Sequence, residues 1–238
     1  MRARRRDGHP TATGDGADRV EASAPVTVAA DLGPGNDTYE VTAPAASVSG
    51  GPGDDHVEAF NSVQGYVGPI TVDGGPGNDT LQMLGRGPGM TLIGGEGDDV
   101  LGPALTNPYV HPIDLVCGPG NDRVTGEPQD RFGDGCARPV TGLTRLSRVS
   151  RVFAKGRLEV PMRTMISVRR RTHRGDLDLP ALARRTLNAP AGPLRARLKT
   201  TAAGKRLLRR DPTPLVWVFI ETRTASDRTR VIFKSRLG

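Results

Sequence analysis

The sequence has few of the residues that build helical cores and membrane spans. Aromatic residues make up 4% of its 238 residues, whereas glycine (31) and proline (20) are abundant. This composition suits turns and short strands better than helices. The basic start at residues 2–6 is not followed by an apolar run, so we expect neither a signal peptide nor a membrane span in this chain.

Catalytic signatures are also missing. The sequence contains neither the H-E-x-x-H motif of zinc proteases nor the G-x-S-x-G motif that carries the nucleophile of many hydrolases. Its four histidines, His9, His56, His111 and His173, are scattered along the chain. We therefore expect a protein that is not an enzyme.

A nonapeptide recurs six times in the first half of the chain. Its clearest copy is G-G-P-G-N-D-T-L-Q at residues 74–82. Glycine occupies the second and fourth positions of every copy, aspartate the sixth, and a large apolar residue or tyrosine the eighth. Six copies in register indicate a repeat architecture. The eighth positions are Val20, Tyr39, Val57, Leu81, Leu101 and Val124.

The spacing of the copies predicts the size of one coil. Successive copies lie 19, 18, 24, 20 and 23 residues apart. One nonapeptide forms a turn and a short strand, so about 18 residues make a coil of two strands. Apolar residues alternate just before each turn, which predicts the second strand. We expect the longer coils to place their extra residues in the opposite turn, at 60–68 and 102–108. The apolar residues that mark the second strand are Ala30, Val48, Val72, Leu92 and Leu115.

With these copies the chain resembles the RTX, or hemolysin-type, calcium-binding repeat proteins, and the resemblance implies a parallel β-roll that binds Ca²⁺. Calcium takes roughly 6–8 oxygen ligands, more than one turn supplies. We therefore expect each ion to bridge two turns stacked about 4.7–4.9 Å apart. The candidate metal-site residues are Gly14, Gly16, Asp18, Gly33, Gly35, Asn36, Asp37, Gly51, Gly53, Asp54, Asp55, Gly75, Gly77, Asn78, Asp79, Gly95, Gly97, Asp98, Asp99, Gly118, Gly120, Asn121 and Asp122.

A simpler interpretation is that these residues only form turns, because glycine, asparagine and aspartate are common turn residues. A plain corner, however, does not require aspartate at the same place in every coil. Aspartates that stack from coil to coil repel one another unless a cation lies among them. The pattern therefore favours a cation site.

Charge divides the chain into two halves. Residues 7–137 carry 20 acidic and 4 basic residues, a net of −16, whereas residues 138–238 carry 25 basic and 6 acidic residues, a net of +19. The acidic half contains the repeats, as cation binding requires. We predict a disordered basic tail at 1–12, a roll with a C-terminal cap at 13–138 and a basic β-sandwich at 143–238. Because the repeats begin at Gly14 without a preceding cap, we expect the start of the chain to be truncated or misassigned.

The two cysteines, Cys117 and Cys136, lie 19 residues apart, which is one coil. Residues one coil apart stack at about 4.8 Å, within the roughly 4.4–6.8 Å range of Cα separations in disulfides. We predict a disulfide that holds the cap, where Ala137 stands in place of the repeated aspartate. The alternative is a pair of free thiols. A disulfide favours an extracellular or cell-surface location.

Residues 143–238 contain no repeat. Alternating apolar residues predict strands in this region and one short helix at 202–210. The turn spacing predicts a β-sandwich. The pattern also resembles the basic immunoglobulin-like domains that follow calcium-binding repeats in secreted actinobacterial proteins, although the early cysteine pair of many such domains is missing here. The predicted strands are 158–160, 165–168, 194–198, 215–220 and 231–233.

The sequence thus predicts an all-β chain, a parallel β-roll followed by a β-sandwich, that acts as an extracellular calcium-binding protein. Binding of calcium would drive folding of the roll. One alternative is a cell-surface adhesion or anionic-polymer-binding module that acts through the basic sandwich; another is a non-catalytic fragment of a larger secreted RTX enzyme or toxin. The arginines equally suit a solvated surface or one that complements the acidic roll. No aromatic residues interleave them, which argues against nucleic acid as the partner.

Overall fold

The computed structural model describes residues 2–5, 11–12, 14–61, 68–85, 87–103, 111–127, 129–136, 152–158, 162–170, 180–189, 192–211, 214–223 and 228–236. The chain divides into two compact units, residues 1–125 with 129–136, and residues 126–128 with 137–238. The described residues are nearly all in strands or turns. The predicted all-β class, with a parallel solenoid first and an antiparallel β region at the C-terminus, is confirmed.

Fourteen strands among the described residues form the solenoid of the first unit. They are β1 (Arg2–Arg5), β2 (Thr11–Ala12), β3 (Arg19–Ser23), β4 (Val28–Asp31), β5 (Thr38–Thr42), β6 (Ala46–Ser49), β7 (His56–Phe60), β8 (Ile70–Pro76), β9 (Thr80–Leu84), β10 (Met90–Glu96), β11 (Val100–Pro103), β12 (Ile113–Val116), β13 (Arg123–Gly126) and β14 (Arg131–Phe132).

Two parallel sheets arise because alternate strands stack on one another. The first sheet contains, in spatial order, strands β1, β3, β5, β7, β9, β11 and β13. The second sheet contains, in the corresponding order, strands β2, β4, β6, β8, β10, β12 and β14. The ladders keep the repeats in register: Val57 pairs with Tyr39 on one side and with Leu81 on the other. In the second sheet Val72 lies between Val48 and Leu92 in the same way.

The core of the solenoid lies between its two sheets. Every eighth-position residue of the nonapeptide is buried, and so is every apolar residue that marked the second strand. The neighbouring positions point outward, as the alternating burial of β7 and β9 shows. The alternation of apolar and polar residues therefore fixes the register, since a shift by one residue would expose the core.

Two short strands lie within residues 1–12, which the sequence analysis predicted as a disordered tail. Strand β1 pairs with β3, and β2 pairs with β4. The edge of a parallel sheet presents unpaired N–H and C=O groups, and these provide a template for a further strand. The predicted loops of the longer coils fall largely at 62–67 and 104–110, outside the described residues.

The disulfide between Cys117 and Cys136 is confirmed, with a Cα–Cα distance of 4.9 Å. Both cysteines are buried, and β12 and β14 pair just before them. The bond therefore joins the last complete coil to the segment that follows it.

The second unit contains six antiparallel strands and one helix among its described residues. They are β15 (Val152–Leu158), β16 (Met162–Arg170), β17 (Ala181–Ala189), β18 (Gly192–Thr200), α1 (Ala202–Arg210), β19 (Leu215–Arg223) and β20 (Arg228–Arg236). The strands follow one another in space in the order β20, β19, β16, β17, β18, β15. The immunoglobulin-like resemblance stays a prediction.

Helix α1 has the bounds that the sequence predicts. It begins where the Thr201 side chain accepts a hydrogen bond from the backbone N–H of Gly204, at 3.1 Å. Its apolar side chains pack against the core of the second unit, which includes Ile166 and Val218. Within the described part of the chain, no helix is both long and apolar enough to cross a membrane.

Candidate metal centre

The sixth-position aspartates form one continuous row inside the solenoid, which we call the inner ladder. Its members are Asp18, Asp37, Asp55, Asp79, Asp99 and Asp122, and none is more than 9% exposed. From Asp37 onward, each Oδ1 accepts a hydrogen bond from the backbone N–H of the aspartate one coil earlier. The five N···O distances lie between 2.6 and 3.0 Å. The inner ladder therefore links neighbouring coils through alternating backbone and side-chain contacts.

The second carboxylate oxygen, Oδ2, is the unusual feature of this ladder. In Asp37, Asp55, Asp79 and Asp99 this oxygen is buried without a hydrogen-bond partner. A buried charged group without a partner is strongly unfavourable, so such an oxygen calls for a cation or a proton.

The first-position glycines show what surrounds these oxygens. A Cβ atom added to Gly74 would overlap Asp79 Oδ2 and would lie 2.6 Å from the carbonyl oxygen of Gly94, one coil further on. The same arrangement recurs at Gly50 and Gly94, with the carbonyls of Gly74 and Cys117. A carboxylate oxygen and a carbonyl oxygen of the next coil thus converge on the same small space. Calcium prefers such hard oxygen ligands, so the residues fit the ion that the resemblance implies.

Burial changes the acidity of the inner ladder. It raises the pKa of Asp55 from 3.8 to about 6 and that of Asp79 to about 7, against the opposing effect of the hydrogen bonds that they accept. The pKa values of Asp37 and Asp99 are raised for the same reason. Burial therefore disfavours the charged form of these carboxylates, and a cation beside them would favour it.

The fifth-position side chains form a second, exposed row, which we call the outer ladder. Asparagine and aspartate alternate along it. The backbone N–H of Asn78 donates to Asp54 Oδ1 at 2.8 Å, and its side-chain amide donates to the same oxygen at 3.0 Å. Asn121 repeats both contacts with Asp98, and they lower the pKa of Asp98. In this ladder Oδ1 of Asp54 and of Asp98 therefore accepts two hydrogen bonds from the asparagine one coil later.

The predicted glycines of the second and fourth positions bring the turns close together. All of them have positive φ, as at Gly77 (147°), where the added Cβ would overlap the carbonyl of Gly53 one coil earlier. At the first turn, no described residue lies within 4 Å of a Cβ added to Gly14 or Gly16. The N–H of Gly77 donates to the carbonyl of Glu96 at 2.7 Å, so the turns also join through backbone hydrogen bonds.

The predicted site residues leave out the first position, where Gly50, Gly74, Gly94 and the carbonyl of Cys117 lie beside the inner ladder. The signal was present, since three successive middle copies have glycine there. Among the described residues no three His, Cys, Asp or Glu side chains cluster as a metal site would. Carbonyl oxygens would therefore have to supply most of the ligands, with about one aspartate from each turn.

The calcium-free roll is expected to lose stability as pH rises from about 5 to about 8. The raised pKa values mean that the folded state holds protons more tightly than the unfolded chain. The favourable contribution is complete below 3.8 and is lost as pH rises through about 6 for Asp55 and about 7 for Asp79. The far-ultraviolet circular dichroism of the calcium-free chain across this pH range measures the folded fraction, and hence this effect.

Saturating calcium should reverse that pH dependence, since protons and calcium compete for the same oxygens. A calcium-free roll that is more stable at about pH 8 than at about pH 5 would contradict the burial of uncompensated carboxylates.

Fold and site together define a parallel β-solenoid whose glycine turns enclose a row of buried aspartates. The chain matches no protein-family model, no curated protein and no solved structure.

Proposed function

We propose that the protein is an extracellular calcium-binding repeat protein, in which each ion bridges two neighbouring turns. The observation that carries the proposal is the row of buried Oδ2 atoms without hydrogen-bond partners at Asp37, Asp55, Asp79 and Asp99. Beside three of them lies a carbonyl oxygen of the next coil. A divalent cation among these atoms would neutralise the carboxylates and hold adjacent coils together.

The donor chemistry favours calcium over other metals. The converging atoms are carboxylate and carbonyl oxygens, which hard cations prefer and which zinc or copper sites seldom use alone. Magnesium demands a compact octahedron and gives up its waters reluctantly, whereas calcium accepts larger and less regular sets of oxygens. Repeated turns that offer backbone carbonyls therefore suit calcium better than magnesium.

Binding and folding are coupled in this proposal. Without a cation, the inner ladder places one buried carboxylate in every coil, and these charges repel. An ion between two turns removes that penalty, so its binding free energy becomes free energy of folding. Because each coil contacts only its neighbours, order should spread along the solenoid from coil to coil.

The proposed setting is extracellular or at the cell surface, and the disulfide supports it, since disulfides persist in oxidising compartments. Extracellular calcium-binding modules have dissociation constants of about 10⁻⁴–10⁻³ M. We propose no catalytic activity for the chain, whose sequence contains neither the H-E-x-x-H motif nor the G-x-S-x-G motif.

The test is a calcium titration of the full chain after treatment with EDTA, followed by far-ultraviolet circular dichroism. We expect a saturable gain of β signal with a midpoint of roughly 10⁻⁴–10⁻³ M, which chelator reverses. Magnesium at the same concentration serves as the control and should not reproduce the gain. A roll that is fully folded in EDTA and indifferent to calcium would overturn the proposal and leave the aspartates as turn formers.

A further inference from the structure

The second unit carries a groove where β17 and β18 part from each other. These strands share two ladder pairs, Ala183 with Thr200 and Arg184 with Lys199. Away from those pairs β17 pairs with β16, and β18 pairs with β15. The groove has a volume of about 1190 Å³ and also reaches the first turn of α1.

Among the described residues, five cationic side chains and no carboxylate line this groove. They are Arg184, Arg185, Arg197, Lys199 and Lys205. All five are exposed, and within the part of the second unit that the structure describes none of them forms an ion pair. Like charges so close together raise the local potential, which attracts an anion of several charges.

One of the arginines is held across the groove. Arg185 of β17 donates from Nη1 to the carbonyl oxygen of Arg197 in β18, at 3.1 Å. The bond keeps the guanidinium between the two strands and leaves its other donors available. Part of the ordering that ligand binding would otherwise require is therefore already present.

The polar groups of the groove indicate which anion fits. Besides the five cations it offers the side chains of Thr186 and Thr200, and its described apolar lining is Met165 and Leu198. The hydroxyl of Thr201 is already used, because it accepts from the N–H of Gly204 and donates to the carbonyl of Ala181. Cationic side chains only donate hydrogen bonds. A uronic-acid polysaccharide brings many hydroxyls that need acceptors. Single-stranded nucleic acid prefers aromatic platforms, and the described residues of this lining include none. A chain of phosphate groups presents mainly acceptors, and guanidinium groups bind phosphate with two parallel bonds.

We propose that this groove binds a linear, phosphate-bearing polymer other than nucleic acid. Several phosphates in succession would match the cations that β17, β18 and α1 bring together. The site lies wholly in the second unit, so it is independent of the calcium sites proposed for the roll.

The experiment uses the full chain in about 5 mM calcium, above the range of extracellular calcium-binding modules. Fluorescently labelled inorganic polyphosphate at nanomolar concentration is the probe, and anisotropy reports binding. We expect saturable binding whose affinity falls steeply with salt. The double variant Arg184→Gln/Lys199→Gln should weaken binding about tenfold or more and reduce the salt slope by about 1–2.

The matched control is Arg163→Gln/Arg223→Gln. These residues are also an exposed cationic pair on adjacent strands, β16 and β19, but they do not line the groove. The control removes the same charge and should change affinity less than about twofold, because the site rather than net charge determines binding. Equal losses in both variants would overturn the groove as the site. Thermal unfolding of both variants is measured as well, and midpoints close to that of the parent chain would show that both variants fold.

Two further polymers test the chemistry, at a concentration of charged groups equal to that of polyphosphate. Polygalacturonate that binds as tightly as polyphosphate would overturn the preference for phosphate. Duplex DNA that binds more tightly would instead identify a nucleic-acid site. Asp79→Asn should bind polyphosphate like the parent chain, so a failure of the calcium proposal and a failure of this one can be told apart.

Discussion

Replacing Asp79 with asparagine is expected to change the stability of the roll in opposite directions with and without calcium. The amide oxygen can still accept the hydrogen bond from the N–H of Asp55. Without calcium the variant removes a buried charge that has no partner, and it should stabilise the roll by about 1–3 kcal/mol. With calcium it removes a ligand and should raise the calcium midpoint about tenfold or more.

The matched control is Asp73→Asn, which makes the same chemical change in the same coil. Asp73 lies on the outward face of β8 and is half-buried. It should change the calcium midpoint less than about twofold and the free energy of unfolding of the calcium-free roll by less than about 0.5 kcal/mol. Circular dichroism supplies both measurements: the calcium titration gives the midpoint, and the β signal in EDTA at neutral pH gives the folded fraction of the calcium-free roll. If Asp79→Asn destabilises the calcium-free roll, the inner ladder does not hold uncompensated charge.

Gly77→Ala should be the most damaging small substitution in the solenoid. Gly77 has φ of 147°, a conformation that residues with a Cβ rarely adopt, and the new methyl would overlap the carbonyl of Gly53. That carbonyl belongs to the backbone of the neighbouring coil and cannot swing away. We expect a loss of about 4 kcal/mol or more in saturating calcium, because the two turns must separate.

The variant Gly16→Ala separates the effect of backbone conformation from the effect of the close approach of the turns. Gly16 also has positive φ, 99°, but an added Cβ would meet nothing within 4 Å. This variant should therefore lose only the conformational contribution, about 1–2 kcal/mol. Urea unfolding of both variants in calcium gives the comparison. Equal losses would mean that backbone conformation alone requires glycine and that the close approach of the turns contributes nothing.

The solenoid could be predicted because its signals are local and repeated. The nonapeptide fixes the turn, the alternation on both sides of it fixes the strands, and the 19-residue step places Cys117 against Cys136. Each of these depends on residues that are close in sequence or one coil apart. The short helix was predictable as well, since the capping residue Thr201 and the apolar side chains that follow occupy adjacent turns.

Strand β17 was missed for a physical reason. Its first seven residues, A-L-A-R-R-T-L, include many good helix formers and show no regular alternation. Tertiary pairing decides its conformation, because β16 binds it along most of its length. The basic groove lies where β17 and β18 change their pairing partners, and no local sequence pattern predicts that position. The buried Oδ2 atoms could not be predicted either, because the motif shows where the aspartate lies but not which of its oxygens accepts a hydrogen bond.

Six nearly identical copies pose a problem of order, because a folding chain could stack a coil on the wrong neighbour. The outer ladder discourages that error. In the correct order Asp54 receives the amide of Asn78, and Asp98 receives that of Asn121. If one coil were skipped, Asp54 would face Asp98, and two carboxylates would meet with no amide to bridge them. The alternation of asparagine and aspartate therefore disfavours the stacking of a coil on the wrong neighbour. An unbroken run of either residue could not do this.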